Sequence, residues 1–300
     1  MMMSSRGWLS LWEWPTVLVA LSAVSGCGRD GQAVGDAPCV GVTTSYIECA
    51  VRDLAPDRFR IVRLLPPGGC PGHFDVTPKM IEDLRGAGML FRFDFQRSLD
   101  AKLERLKAFG LEIVPVPAGE GMGLPGTYER VCQAVCEALS QRWPAEASRF
   151  RSRLASVRPR LGRLGNQCRR RIKKAGLTGT KVLSSGHQEG FCKWLGLRVV
   201  GTIPRGEAAR ISELTEGLEK GETEHVKLVV GNLQEGPRVA RTLAKRLGVR
   251  LVVFSNFPSM ARDQMTFDDL VRWNVGALVG SVSRPSSVGT GSAPGRDGGS

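Results

Sequence analysis

The apolar positions of this chain follow two rhythms that take turns. Short runs rich in β-branched residues, stopped by Gly or Pro, alternate with stretches whose apolar residues recur every three or four positions. Residues 38–45, PCVGVTTS, predict a first strand, and FRIVRLLPPGG (59–69) a second, halted by Pro66 and Pro67. Thr77 before Pro78 supplies an N-cap and a first-turn proline, so TPKMIEDLRGAG (77–88) opens as a helix. MLFRF (89–93) predicts a third strand and LEIVPVP (111–117) a fourth, with a helix around 98–109 between them.

From Thr127 the rhythm is helical for nearly fifty residues. TYERVCQAVCEALSQRW (127–143) is one helix, broken at Pro144; 145–176 is a longer one, with Pro159 as a point of kinking. Alternation then returns. Strands are predicted at 181–185, 197–203, 226–232 and 249–255, with helices at 186–196, 210–221 and 235–248 between them and a last helix at 266–280. The fold class that follows is α/β: two parallel-sheet α/β lobes joined by a long helical spine. The expected boundaries are an N-terminal lobe at 38–126, a helical connector at 127–175 and a C-terminal lobe at 176–281.

The N-terminus changes the setting. An apolar stretch, Thr16 to Val24, follows Arg6 and ends in Ser25 and Gly26 directly before Cys27. That run is too short to span a membrane comfortably, and a small-residue site before a cysteine reads as a bacterial lipoprotein signal. Residues 1–26 would be removed, the Cys27 sulfur would carry the lipid, and 27–37 would tether an extracytoplasmic body to the membrane. An ordinary cleaved signal or a buried N-terminal helix is the alternative. The tail, 282–300, is rich in Ser, Gly and Pro and is expected to lack a packed structure.

Of a formal net charge of +13, eleven Lys or Arg residues with no Asp or Glu lie between Arg149 and Lys174. A single aromatic, Phe150, lies among them rather than the interleaved series a stacking groove needs, and an exported protein rarely meets nucleic acid, so no nucleic-acid partner is expected. The stripe reads as a solvated helix face, near anionic headgroups if the chain is anchored.

LLPPGGCPGHFDVTPKMIEDLRGAG (64–88) resembles the metal-binding region of ABC-transporter solute-binding proteins of the zinc/manganese type. The likeness continues in order through LPGTYERVCQAVCEALSQRWPAEASRFRSRL, VLSSGHQEGFCKWLGLRVVG, VRLVVFSNFP and FDDLVRWNVGAL, covering roughly 38–280. The resemblance implies a metal cleft between the lobes at the carboxyl ends of the strands, where open α/β sheets hold their ligands. It puts the first ligand on His73 and the third on His187; imidazole is the usual transition-metal ligand. The third histidine, His225, reads as a surface residue at a helix end. The family's second ligand, a histidine, has no counterpart here, and its position falls on Glu120. The fourth, an acid after the last strand, falls on Ser255 or Asn256, and Asn232 stands where many members carry an acid. Such a site is short of donors for tight zinc binding, which usually takes four.

Eight cysteines include Cys27. Cys132 and Cys136 share a helix face and read as small core residues. Cys49, Cys70 and Cys192 fall in segments that line the cleft in the family, leaving two readings open: a disulfide such as Cys49 to Cys70, or thiolate ligation of the metal. The resemblance implies a non-enzymatic receptor, a monomer, that captures zinc, or manganese next, and hands it to an ABC permease. The same scaffold repurposed as an envelope binding protein or adhesin is the alternative, and a thiol-dependent enzyme using Cys70 or Cys192 a weaker third.

Overall fold

The computed structural model describes residues 37–67, 69, 71–72, 75–119, 121–203, 211–261 and 265–283. The signal segment with Cys27, together with Cys70, His73, Glu120 and the tail beyond Ser283, lies outside the described residues.

The first lobe contains β1 (Cys39–Val42), α1 (Ser45–Leu54), β2 (Arg60–Arg63), α2 (Pro78–Asp83), β3 (Ala87–Phe93), α3 (Leu99–Lys102), α4 (Glu104–Ala108) and β4 (Glu112–Val116). Two long helices follow, α5 (Pro125–Arg142) and α6 (Ala147–Lys174). The second lobe contains β5 (Lys181–Ser185), α7 (Glu189–Trp194), β6 (Arg198–Ile203), α8 (Ile211–Thr223), β7 (Leu228–Asn232), α9 (Arg238–Arg246), β8 (Arg250–Phe254) and α10 (Phe267–Ser283). Each lobe holds a four-stranded parallel sheet, ordered β2-β1-β3-β4 in the first and β6-β5-β7-β8 in the second. The register sets Val42 level with Arg63 and Phe91, and Val230 level with Ser184 and Val252, so the carboxyl ends of each sheet's strands lie on one side.

The sequence pattern anticipates all eight strands but misses α1. SYIECAVRDL carries Tyr, Ile and Val, which favour strands, yet Thr44 turns extended and its hydroxyl accepts from the Ile47 N–H. The first strand therefore stops at Val42, short of the predicted Ser45. Burial completes the helix: Tyr46, Ile47, Ala50, Val51 and Leu54 are fully enclosed. The helix predicted around 98–109 is two short ones, interrupted at Leu103. α2 begins as predicted, with Thr77 as cap and Pro78 in its first turn, but ends at Asp83. Gly86 then takes φ 79°, a left-handed turn only glycine adopts freely, and β3 starts at Ala87, two residues before the predicted start.

α6 buries Phe150, Val157, Leu161, Leu164, Cys168 and Ile172 along one stripe and runs on through Pro159, which sits on the exposed side. Ten of its eleven basic residues face outward, as the solvated-face reading expects. The eleventh, Arg160, turns inward. α6 packs on α5, on α1 of the first lobe and on α10 of the second. One apolar core runs through both lobes along this contact, from Val40 and Phe91 to Val230 and Phe254. Within it Tyr46 meets Phe93, Tyr128, Phe257 and Phe267 edge-on or tilted, and Tyr128 stacks on Phe267 at 4.1 Å. Each such aromatic pair adds about 0.5–1.5 kcal/mol beyond area burial. Ser45 Oγ also donates to the Pro258 carbonyl at 2.7 Å, so the lobes are joined by packing and by polar contact.

Candidate functional site

Parallel sheets open at their carboxyl ends, because there the chain leaves each strand through a loop before the next helix. Here those loops converge on one cleft of about 620 Å³. The first lobe contributes Pro71 and Gly72 after β2, Phe95 after β3, and Ala118, Gly119, Gly121 and Met122 after β4. The second contributes His187 after β5, Asn232, Gln234 and Glu235 after β7, and Asn256 and Phe257 after β8. A cavity of about 630 Å³ beside His225 opens at the opposite, amino ends of β5, β7 and β8, the wrong end for a ligand of this sheet type. His225 is exposed there, as expected.

Each loop is held by buried polar contacts. Gln96 Oε1 accepts from Thr43 Oγ1 and from the Phe93 N–H, and its Nε2 donates to the Pro71 carbonyl at 3.1 Å. That bond fixes the loop leading to His73 against the end of β3. Upstream, Arg63 is gripped by the buried Glu48 and donates to the Leu65 carbonyl. On the β4 side, Gly119 and Gly121 take φ 64° and 78°, the left-handed region where a side chain is strained. They flank Glu120.

His187 lies in a single turn between β5 and α7 with its side chain half exposed to the cleft. Its Nε2 stands 3.2 Å from Oε1 of Glu235, whose side chain is only 15 % exposed. The distance is that of an ion pair, but Oε1 makes no well-aligned hydrogen bond and is itself buried. Glu235 is the cleft acid that sequence reasoning missed. Its position follows from Asn232, whose Oδ1 accepts the Gln234 and Glu235 N–H groups at 2.8 and 3.1 Å and folds the chain back after β7. An Asn at the strand end with a Glu three residues on is the signal that could have marked it.

The neutral candidates are engaged elsewhere. Ser255 Oγ donates to the Phe257 carbonyl and accepts from Gln234 Nε2, while its backbone is clasped by Asn274 of α10. Asn256 Oδ1 accepts from Gln188 Nε2 at 2.8 Å. These residues shape the cleft.

Cys49 and Cys192 do not line it. Cys49 is a free, buried residue of α1 whose sulfur faces the Met265 carbonyl at 3.4 Å. This removes it from the expected disulfide; the other half of that pairing, Cys70, lies outside the described residues. Cys192 is fully buried, 3.5 Å from Ser184 Oγ, and burial pushes its thiol up to about 12. Neither is poised as a thiolate, because taking the charge out of water disfavours it. Among the described residues no group of three or more His, Cys, Asp or Glu is gathered as a metal cluster. Among the described residues, His187 and Glu235 are the imidazole and the carboxylate that line the cleft.

The model of one protein family, the periplasmic component A of zinc-uptake complexes (ZnuA), matches residues 40–281. The chain belongs to this family. That agrees with the resemblance drawn from the motifs, and with the two-lobed parallel α/β fold. No curated protein sequence matches the chain. Among solved structures, the Mn-bound periplasmic metal-binding protein of Candidatus Liberibacter asiaticus superposes with a TM-score of 0.70 at 14% identity, covering 81% of this chain and 99% of that one. A Cd-bound form of the same protein gives 0.69 at 14% identity with the same coverage. A crystal structure of ZnuA gives 0.66 at 15% identity, covering 82% of this chain and 100% of the other. At these identities the likeness shows the fold. No helix among the described residues is long and apolar enough to cross a membrane.

Proposed function

We propose that this chain is the receptor of a metal importer, capturing zinc in the cleft between its lobes and passing it to an ABC permease, with manganese as the second cargo. The supporting observation is His187, a half-exposed imidazole at the carboxyl end of β5 that lines the cleft together with residues of the first lobe. Gly72, next to His73, and Gly119 and Gly121, on either side of Glu120, line the same cleft. We therefore keep His73, Glu120 and His187 as the proposed ligands. Nitrogen and oxygen donors of this kind suit zinc, and a carboxylate among them also suits manganese. No step of chemistry is required, and no enzyme activity is proposed. Lipidation at Cys27 would hold the receptor beside its permease, outside the cytoplasmic membrane, where it acts as a monomer.

The same scaffold holding another small molecule as a non-transport envelope protein is a second reading. It rests on the apolar wall of the cleft, Phe95, Ala118, Met122 and Phe257.

Thermal unfolding of the metal-stripped chain separates the two. Zinc at a hundred times its Kd should stabilise the native state by about 2.7 kcal/mol, and a His73→Ala, His187→Ala double variant should show no such rise. An unchanged midpoint with zinc and with manganese would sink the receptor reading.

A further inference from the structure

We propose that Glu235 is a direct donor to the metal in this cleft, acting as a pair with His187. The assignment rests on the receptor reading above and adds a ligand that the family's motif positions do not supply.

The geometry is that of two ligands awaiting one ion. Nitrogen and oxygen donors of a tetrahedral zinc, each about 2.0–2.1 Å from the metal, stand about 3.4 Å apart. His187 Nε2 and Glu235 Oε1 are 3.2 Å apart, without the alignment of a hydrogen bond. The pair therefore already has roughly the edge length of a coordination tetrahedron.

Charge points the same way. A carboxylate side chain 85% withdrawn from solvent needs a compensating positive group or a set of hydrogen bonds. Among the described residues the ion pair found for Glu235 is with His187, a group that carries charge only when protonated. A divalent cation between them would compensate the carboxylate.

Elimination narrows the choice. Asn232 Oδ1 holds its own turn after β7, Ser255 Oγ bridges Phe257 and Gln234, and Asn256 Oδ1 holds Gln188, so none is free to turn toward an ion without releasing part of the cleft wall. Glu235 alone of this group keeps a buried acceptor oxygen without a hydrogen-bond partner. Its backbone is fixed by the Asn232 turn. The preceding Gln234 is locked on both sides, through Nε2 to Ser255 Oγ at 3.0 Å and through Oε1 to the Asn256 N–H at 2.8 Å. The carboxylate is thus presented from a rigid turn, as a preorganised donor should be.

Calorimetric titration of zinc chloride and of manganese chloride into the metal-stripped full chain tests this, comparing wild type with Glu235→Gln and Glu235→Ala. Losing an outer partner of a ligand costs about 10–100-fold in metal affinity; losing a donor should exceed that, so both variants are expected to bind more than about a hundredfold more weakly. The metal-free Glu235→Gln protein should unfold at or above the wild-type midpoint, since a buried carboxylate whose Oε1 lacks a hydrogen bond is removed. Tight wild-type binding with either folded variant weakened less than a hundredfold would overturn the assignment and leave the receptor reading standing. Wild type that binds neither metal would overturn both.

Discussion

Arg160, midway along α6, donates to both carboxylate oxygens of Asp53 in α1, through Nη1 at 2.9 Å and Nη2 at 2.5 Å. Tyr128 of α5 donates to the same Asp53 Oδ2 at 2.7 Å, and Asp268, at the start of α10, lies 3.5 Å from Arg160 Nε. The long helix is thereby tied to the first lobe through Asp53 and to the second through Asp268, at the place where the aromatic cluster around Tyr46 joins the lobes. A forked guanidinium is suited to this, since it meets a carboxylate in two parallel bonds.

Removing one member of this cluster leaves the others buried and short of a partner. Asp53→Asn should lower stability by about 3 kcal/mol, the low end of the range for breaking a buried pair, because both side chains keep some solvent contact. Urea unfolding measures it. A loss below about 1 kcal/mol would show that the cluster is only a surface pair.

Tyr46 carries the opposite lesson. Its hydroxyl is buried without a hydrogen-bond partner inside the aromatic cluster. Tyr46→Phe keeps the ring contacts and removes the unpaired group, so stability should hold or rise by about 1 kcal/mol. A loss of more than about 1 kcal/mol, read from the same unfolding curves, would mean that the hydroxyl has a partner after all.

Acid sensitivity should be traceable to Glu146. Its hydrogen bond to Arg58, and then the charge of Arg58 and Arg149 nearby, hold its carboxyl below the usual glutamate range against the pull of burial. The sign follows from linkage. A depressed folded value means that the unfolded chain binds the proton more readily, so the stabilisation is present above about pH 4.3, the ordinary value, and is lost as pH falls through the folded value. Glu146→Gln should lose about 1 kcal/mol at neutral pH, as befits a partly exposed pair, and show a flatter acid limb as pH falls below about 4.3. Parallel acid limbs for variant and wild type would contradict this.

Burial disfavours the thiolate at two of the three cysteines that the resemblance placed in cleft-lining segments. Cys192, raised to about 12 by desolvation, and Cys49, raised further still by burial and by the nearby Asp53 and Glu48 charges, should resist iodoacetamide in the native chain at pH 7.5 and react fully in denaturant. Peptide mapping reads this out. Rapid native labelling of Cys192 would reopen the enzyme reading.

What the sequence disclosed and what it hid divide along physical lines. Strands and long helices announce themselves through periodicity, so the succession of strands and helices along both lobes and the α5–α6 spine were readable, as was a histidine just beyond the end of β5. α1 was hidden because its residues favour strands, and a single cap at Thr44 with burial on α5 and α6 overrides that preference. Arg160 was hidden among ten chemically similar neighbours, since only the helix's rotation against α1 and α10 selects the one that turns inward. Glu235 was hidden because a loop has no period: its place depends on an Asn three residues back and on the β8 loop that locks Gln234, neither of which is local to the acid.

The most direct test of the central claim, that the cleft between the lobes is the metal site, is anomalous diffraction at the zinc edge from crystals grown with one equivalent of zinc. The account predicts one strong peak in the cleft, about 2.0–2.1 Å from His187 Nε2 and bounded by the loops after β2, β4 and β7. A crystal whose zinc peaks all lie away from His187, with the cleft empty, would contradict it.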